Sequence, residues 1–138
     1  MEISLHNESG RPGPEERPSR KLVEDVCRAL KLEMLSCAII LTDDAYIRSL
    51  HKTYFNDPDT TDVITFDLGE EGIEGEIYIC IDQAERQARQ FGVSTLNEIR
   101  RLIIHGLLHL AGYDDRKEAD RAEMKRMENG LYEKTKAW

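Results

Sequence analysis

The stretch from Leu102 to Asp115 reads Leu-Ile-Ile-His-Gly-Leu-Leu-His-Leu-Ala-Gly-Tyr-Asp-Asp. Its two histidines, His105 and His109, are four residues apart, so on a helix they lie one above the other on the same face. Every other residue from Leu102 to Ala111 is apolar or glycine, which predicts a buried helix. Burying a neutral imidazole without a partner costs on the order of 2 kcal/mol or more. A metal ion shared by the two rings removes that cost.

The end of this segment supplies a third candidate ligand. Gly112 favours a left-handed helix cap, and the reversed chain can return Asp114 or Asp115 towards the histidines. Two histidines and one carboxylate leave a fourth position open, as in catalytic rather than structural zinc sites. The pattern therefore predicts a catalytic metal site. The competing interpretation is a pair of core histidines, each bonded to a backbone carbonyl.

The residue after the first histidine is Gly106, where zinc peptidases of the His-Glu-x-x-His type carry their general base. Glycine can neither take nor give a proton, so peptidase chemistry of that type is disfavoured. Metal-assisted hydrolysis of another bond remains open, because a metal lowers the pKa of its water ligand. Glycine inside a helix costs about 1 kcal/mol relative to alanine, which indicates that the helix backbone approaches a neighbour closely.

The composition is that of an ordinary globular protein. We expect residues 1–138 to form one domain, with 40% hydrophobic residues. No apolar run approaches the roughly 20 residues that span a bilayer, and the N-terminal residues do not resemble a signal peptide. The three cysteines, Cys27, Cys37 and Cys80, lack a Cys-x-x-Cys spacing and are typical of buried thiols in a reducing compartment. These features predict a cytoplasmic protein.

The formal net charge of −8 argues against a protein that coats nucleic acid through bulk electrostatics. A local basic groove is compatible with that charge. Basic residues close to the histidine helix in sequence are Arg86, Arg89, Arg100, Arg101, Arg116 and Lys117. The alternative for each is an ordinary solvated helix face, paired with a neighbouring acid.

Hydrophobic periodicity and turn residues predict an α+β fold: a single-layer mixed sheet of about four strands, packed with about five helices that lie mostly on one face. A zincin-like metal helix, Leu96 to Ala111, is buried in the centre, and Thr95 with Glu98 forms its capping box. Asp82 caps the helix before it. The predicted strands are Glu2–Asn7, Ser36–Thr42, Thr61–Asp67 and Gly75–Ile81, the last two as a hairpin. The first helix has Pro18 in its first turn and runs to about Lys31, and the second runs from a cap at Asp43 or Asp44 to Tyr54. Two further helices run from Asp82 to Phe91 and from Lys117 to Lys134. A turn, Asn56–Asp59, separates the second helix from the third strand.

The segment His105-Gly106-Leu107-Leu108-His109-Leu110-Ala111-Gly112-Tyr113-Asp114-Asp115 resembles the signature of the YbeY-type ribosomal RNA maturation endoribonucleases, His-Gly-x-Leu-His-Leu-x-Gly-Tyr-Asp-His. Two further segments match in order. Thr61-Asp62-Val63-Ile64-Thr65-Phe66 is similar to the family's Thr-Asp-Val-Leu-Ser-Phe strand, and Gly75-Glu76-Ile77 to its Gly-Asp-Ile strand. Met124 and Glu128 are similar to residues of the family's C-terminal helix. The resemblance covers roughly residues 36–131.

The resemblance implies a cytoplasmic metalloprotein that binds one zinc ion per chain through three ligands of the signature. It further implies cleavage of single-stranded RNA: ribosomal RNA processing, notably at the 3′ end of the small-subunit species, and ribosome quality control. Expected partners are precursor ends of ribosomal RNA, and small-subunit proteins or an assembly GTPase. We expect a monomer.

The sequence departs from the family pattern at two positions. The third ligand of the family is histidine, and Asp115 stands there, so we carry the ligand role to Asp115, with Asp114 as the neighbouring alternative. The family also has an arginine that aligns with Phe55. If that arginine holds a phosphate, another cation must replace it here. The candidates are Arg100, Arg101 and Arg48, although ordinary helix-surface charge is the more common role for each.

The expected chemistry uses His105, His109 and Asp115 through the metal, with Glu76 or Asp62 as candidates for orienting water. The alternative for Glu76 and Asp62 is a structural role, in which they are solvated at a strand end or form hydrogen bonds within a turn. The first alternative function is a ribosome-assembly or RNA-binding factor whose zinc is structural. The acidic charge and the loss of the arginine favour it. The second is a metallohydrolase acting on a small molecule or peptide, which Gly106 disfavours.

Overall fold

A computed structural model describes residues 1–56 and 61–135 of the chain. The described part contains four strands and five helices. The strands are β1 (Glu2–Asn7), β2 (Met34–Thr42), β3 (Val63–Asp67) and β4 (Ile73–Cys80). The helices are α1 (Glu16–Leu30), α2 (Asp44–Phe55), α3 (Ile81–Phe91), α4 (Thr95–Leu110) and α5 (Glu118–Lys134). Every predicted element forms, and the α+β class is confirmed.

The strands form one mixed sheet in the order β1-β2-β4-β3. Strand β1 pairs parallel to β2, with Ile3 opposite Cys37, and β2 pairs parallel to β4, with Ile39 opposite Ile77. The β3–β4 hairpin is antiparallel, as predicted, and adds β3 as an edge strand. The parallel pairs need crossover connections, which α1 and α2 begin.

Alternation along β4 gives the sheet two different faces. Ile77 and Ile79 face the main core, which α1 and α4 cover. Tyr78 and Cys80 face the other side, where α2 packs over a smaller cluster around Ile47 and Ile64. Helices therefore lie mostly on one face, as predicted, and α2 covers the end of the opposite face.

Helix α4 is the most buried helix, with apolar residues such as Ile99, Ile103 and Leu107 fully inaccessible. This confirms the predicted position at the centre of the core, whereas its zincin-like character stays a prediction. Gly106 explains how close the helix lies to the sheet. A Cβ atom at this position would meet Ile77 Cγ2 at 2.9 Å and Thr65 Cγ2 at 3.1 Å. The predicted close backbone approach is confirmed.

Two of the predicted helix starts are wrong. Ser94, not Thr95, caps α4, because Ser94 has extended backbone angles and its hydroxyl accepts from the Asn97 N–H at 3.1 Å. The Glu98 side chain is buried rather than turned back to a capping box. Helix α3 begins at Ile81, so Asp82 lies inside its first turn and accepts from the Asp44 N–H at 2.8 Å.

The three cysteines are buried free thiols, as predicted, and burial raises the pKa of Cys27 to about 11. The cap of α2 is Asp43, which accepts from the Tyr46 N–H. The predicted turn Asn56–Asp59 lies, beyond Asn56, outside the described residues. None of the helices in the described ranges is long and apolar enough to cross a membrane.

Candidate metal centre

Helix α4 brings its two histidines together at its C-terminal end. The Nε2 atoms of His105 and His109 are 3.1 Å apart, and the ring planes meet edge to face. Both side chains remain about a quarter exposed, at 26% and 28%. Their neighbours on α4 are mostly buried and apolar, so the two histidines are solvent-accessible polar groups at an otherwise apolar helix end.

The chain reverses after α4 through a glycine cap. Gly112 has φ +100°, its N–H donates to the His109 carbonyl, and the Tyr113 N–H donates to the Leu108 carbonyl. This pair of bonds is the Schellman arrangement that glycine favours at a helix C-terminus. The reversal carries Asp115 back over the end of the helix.

The returning carboxylate is that of Asp115. Its Oδ2 lies 3.7 Å from His105 Nε2 and 3.6 Å from His109 Nε2. The neighbouring Asp114 instead accepts a hydrogen bond from the Arg116 N–H at 3.0 Å. Of the two aspartates that the sequence left open, the fold brings Asp115 to the histidines.

The three atoms suit a small divalent cation. Their mutual distances are 3.1, 3.6 and 3.7 Å. Ligand atoms of a tetrahedral zinc ion, with bonds of about 2.0–2.1 Å, are roughly 3.3 Å apart. Two imidazole nitrogens and one carboxylate oxygen are also ligands that zinc accepts. The residues present therefore fit the ion that the sequence led us to expect.

A fourth side chain, which the sequence patterns did not assign to the site, holds His105 in place. Glu128 of α5 is 3% exposed, and its Oε1 is 2.6 Å from His105 Nδ1. Its Oε2 accepts from Lys125 at 3.0 Å and from Arg101 at 3.3 Å. A usable signal existed in the sequence: Glu128 lies between Met124 and Leu131 on the packing face of α5, at a position where an unpaired acid is costly.

Electrostatics distinguish the two histidines. Burial alone lowers the pKa of His105, but the hydrogen bond and charge of Glu128 outweigh it and raise the pKa above its ordinary value. Burial and the charge of His105 lower the pKa of His109. Burial alone would raise the pKa of the Glu128 carboxylate, but its hydrogen bonds to His105 and Lys125 lower that pKa to about 2. Glu128 is thus an ionised acceptor, which places the proton of His105 on Nδ1 and leaves Nε2 to face the cation site.

Two cavities flank the three candidate ligands, and Asp115 lines both. The larger, about 600 Å³, extends from His105 between α3, α4 and α5. The smaller, about 440 Å³, extends from His109 towards the start of β3 and the end of α2. The candidate ligands therefore lie between two open cavities.

The larger cavity contains buried polar atoms without hydrogen-bond partners. They are Oε1 of Gln87 and Oε1 of Glu98. Burial raises the pKa of Glu98 to about 7, although Arg101 lies 3.7 Å away. Asp62 lines the same cavity, and its Oδ2 accepts from Gln87 Nε2 at 3.2 Å. The wall beside His105 therefore contains two inaccessible side-chain oxygen atoms that lack a protein partner, together with the Asp62 carboxylate.

Of the two acids proposed to orient water, the fold brings Asp62 close to His105 and does not bring Glu76. Asp62 shares the cavity of His105, and its charge contributes to the raised pKa of that histidine. Glu76 alternates with Ile77 on β4, so its side chain points to the face opposite α4. There it accepts a hydrogen bond from the Tyr78 hydroxyl at 3.1 Å.

The candidate phosphate-binding arginines are in different environments. Arg100 is 2% exposed and donates to the Tyr132 carbonyl at 2.7 Å, with its guanidinium 3.8 Å above the Tyr132 ring. Arg100 is therefore neither an ordinary helix-surface charge nor a cation accessible to a phosphate, so both predictions for it are wrong. Arg101 lines the larger cavity but also pairs with Glu128. Arg48 is on the exposed side of α2.

The remaining basic residues do not converge on one groove. Arg86 binds Asp44 through two nitrogens, at 2.8 and 3.0 Å. Arg116 is 88% exposed at the rim of the smaller cavity. Arg89 and Lys117 are exposed on α3 and at the cap of α5.

A second group of potential ligands, Asp44, Cys80 and Asp82, lies at the start of α2 and α3. Its carboxylates are already bound, Asp44 by Arg86 and Asp82 by Arg11. Burial raises the pKa of the Cys80 thiol to about 12, so it stays protonated. Two guanidinium groups therefore neutralise this cluster, which makes the histidine cluster the better cation site.

The fold and the site define a small α+β protein with an open set of two histidines and one aspartate, suited to a divalent cation. The family model described as endoribonuclease YbeY matches residues 5–136. The chain belongs to the endoribonuclease YbeY family. It is 45% identical over 101 residues to endoribonuclease YbeY of Aquifex aeolicus, an alignment that covers 70% of this chain and 67% of the relative.

Longer alignments support the same assignment. Endoribonuclease YbeY of Thermobifida fusca is 36% identical over 143 aligned positions, which cover 95% of this chain and 92% of the relative. The solution structure of a Thermotoga maritima protein superposes with a TM-score of 0.66 at 30% identity, covering 98% of this chain and 89% of that one. The likeness therefore includes the N-terminal strand and helix, which the sequence motifs left out.

Proposed function

We propose that the chain is a metal-dependent endoribonuclease that cleaves single-stranded RNA. Its substrates are precursor ends of ribosomal RNA, notably the 3′ end of the small-subunit species, and its wider role is ribosome quality control in the cytoplasm. One observation carries the proposal: the triangle of His105 Nε2, His109 Nε2 and Asp115 Oδ2, with sides of 3.1–3.7 Å, at the junction of two open cavities. The relatives are named endoribonucleases, which supports RNA as the substrate.

Three residues would hold one zinc ion per chain: His105, His109 and Asp115. When bound, such an ion stabilises the charge that develops on a phosphate and activates an oxygen nucleophile. The protein supplies the rest. Glu128 holds the proton on Nδ1 of His105 and fixes its ring, because its carboxylate is ionised and 2.6 Å away. A backbone hydrogen bond of Tyr113 partly offsets the lowering of the His109 pKa.

Asp62 is the residue that we assign to orienting the nucleophile, whether water or a ribose 2′-hydroxyl. It lines the cavity of His105, and Gln87 Nε2 fixes one of its carboxylate oxygens. No role is assigned to Glu76, which faces the other side of the sheet. Arg101, which is 23% exposed at the same cavity, is the cation that we assign to replacing the arginine missing at Phe55.

The alternative is an assembly factor that binds RNA or small-subunit proteins without cutting. The net charge of −8 and Phe55 in place of an arginine favour it. A direct assay separates the two functions. The purified zinc-loaded monomer is incubated with labelled single-stranded RNA carrying the small-subunit 3′ sequence, beside His109→Ala and the surface control Glu123→Gln.

We expect wild type and Glu123→Gln to cleave the RNA and His109→Ala to lose cleavage. Glu123 is a fair control because it lies on α5 and pairs with Arg126 at the surface. Binding without cleavage in all three proteins would establish the assembly factor instead. Hydrolysis of peptides, with RNA left intact, would establish the third candidate, a metallohydrolase of another substrate.

A further inference from the structure

Six rings form a continuous row from β4 to the end of α2, which we call the aromatic row. Tyr46 contacts Tyr78, which contacts Phe66. Phe66 contacts both Tyr54 and Phe55, and Phe55 contacts His51. Consecutive ring centroids are 5.0–6.5 Å apart. Such spacing is that of rings in mutual contact.

Packing explains only part of this row. Phe66 and Tyr78 are half-buried and cover the small apolar cluster under α2. By contrast, Tyr46, Tyr54 and Phe55 are 50%, 63% and 54% exposed. Three large exposed rings, joined through Phe66 and Tyr78, form an apolar surface of the kind that marks a binding site.

The row leads into the candidate metal centre. His51 and Phe55, at its end, line the smaller cavity together with His109 and Asp115. A ligand that reaches the histidines from this side therefore passes along exposed ring faces. The smaller cavity is also the more polar of the two, with hydroxyl, imidazole and carboxylate groups in its wall.

Cationic side chains lie along the row. Helix α2 carries Arg48 and Lys52, and its single acid, Asp44, is neutralised by Arg86. Arg116 lies 88% exposed at the rim of the cavity where the row ends. Acids lie among these cations: Asp43 caps α2, Glu76 binds the Tyr78 hydroxyl, and Asp114 pairs with Arg116. The row is therefore a ring-rich path with cations along it, beside the candidate site. Rings flanked by cations suit an anionic, base-bearing strand.

We propose that the aromatic row binds the unpaired bases of single-stranded RNA by stacking and guides the strand to His109. The inference rests on the proposed function for the identity of the ligand. Tyr54 and Phe55, the two exposed rings nearest the cavity, carry most of the interaction.

Binding can be tested separately from cleavage. The purified zinc-loaded protein is titrated with a single-stranded 2′-O-methyl RNA containing 2-aminopurine, whose fluorescence falls on stacking, and each oligonucleotide is checked for integrity afterwards. The variants are Tyr54→Ala and Phe55→Ala, with Tyr54→Phe as the conservative change. Leu68→Ala is the matched control, because Leu68 is 61% exposed on the hairpin outside the row. Circular dichroism verifies that each variant is folded.

Each alanine variant should raise Kd about 5- to 100-fold, the usual effect of losing one base–ring stack, and should abolish the 2-aminopurine quenching. Tyr54→Phe and Leu68→Ala should bind like wild type. An oligonucleotide with abasic sites should bind wild type as weakly as the normal strand binds the alanine variants. Unchanged Kd and quenching in Tyr54→Ala and Phe55→Ala would overturn the proposal and leave the row to a protein partner. If wild type does not cleave RNA but the alanine variants show these Kd shifts, the proposed activity is refuted and this inference stands.

Discussion

Glu128 Oε1 lies 2.6 Å from His105 Nδ1, so a carboxylate of α5 determines which nitrogen of a histidine on α4 is free. Outer carboxylates of this kind fix the tautomer and orientation of metal-binding histidines. Lys125 and Arg101 bind the other oxygen of Glu128, and the bonds to His105 and Lys125 keep the carboxylate ionised. The site therefore depends on α5, a helix that contributes none of the three candidate ligands.

Glu128→Gln should weaken zinc binding about 10- to 100-fold, the usual cost of losing such an outer partner. The amide keeps the size of the side chain but removes the charge that holds the proton on Nδ1. Competition with a chromophoric chelator measures the affinity. Glu123→Gln, on the exposed side of the same helix, should keep wild-type affinity. Equal affinities for the two variants would show that Glu128 does not position His105.

The two neighbouring aspartates should respond differently to the same substitution. Asp115→Asn should lower zinc affinity by more than about 10-fold, because a ligand contributes at least as much as an outer partner. Asp114→Asn should change it little, since Asp114 caps the turn at Arg116. Isothermal titration of both variants with zinc gives the comparison. The assignment of Asp115 fails if Asp114→Asn proves the more damaging change.

Gly106→Ala should destabilise the fold even though alanine favours helices. The added methyl group meets Ile77 and Thr65 of the sheet, an overpacking that typically costs about 1–3 kcal/mol. Gly130→Ala is the matched control on α5, where a Cβ meets nothing within 4 Å. It should stabilise by up to about 1 kcal/mol. Urea unfolding measures both, and a stabilised Gly106→Ala would contradict the close approach of α4 to the sheet.

Glu98 should make stability depend on pH. Burial raises its pKa to about 7 from an ordinary value of 4.5, so between these values the folded state keeps a proton that the unfolded state releases. Folding stability should therefore fall as pH rises through this window, by at most about 3 kcal/mol from this residue. Glu98→Gln stays neutral and removes that part of the slope. Between pH 5 and pH 8 the free energy of unfolding should fall less in Glu98→Gln than in wild type. Parallel pH profiles of the two proteins would exclude a buried, protonated Glu98.

What the sequence could predict was local. The spacing of His105 and His109, the glycine cap and the returning aspartate all fall within eleven residues, and each depends on backbone geometry that the neighbouring residues decide. The helices and strands were found for the same reason, with ends that shift by one or two residues. The wrong caps arose because Ser94 and Thr95 are both good capping residues, and only the packed helix selects between them.

What escaped prediction depends on contacts between distant segments. Glu128 is 23 residues from His105, and Arg100 is 32 residues from the Tyr132 carbonyl that it binds. Neither separation follows a helical or strand period, so the burial of these charges appears only once α5 is packed on α4. The aromatic row likewise combines rings from α2, β3 and β4.

The metal content of the purified protein tests the central claim most directly. Elemental analysis of wild type and His109→Ala, prepared without added chelator, gives the number of zinc ions per chain. The account predicts one ion in wild type and a loss of that ion in His109→Ala, with Asp114→Asn unchanged. A wild-type protein free of divalent metal after incubation with zinc, or an ion retained in full by His109→Ala, would contradict it.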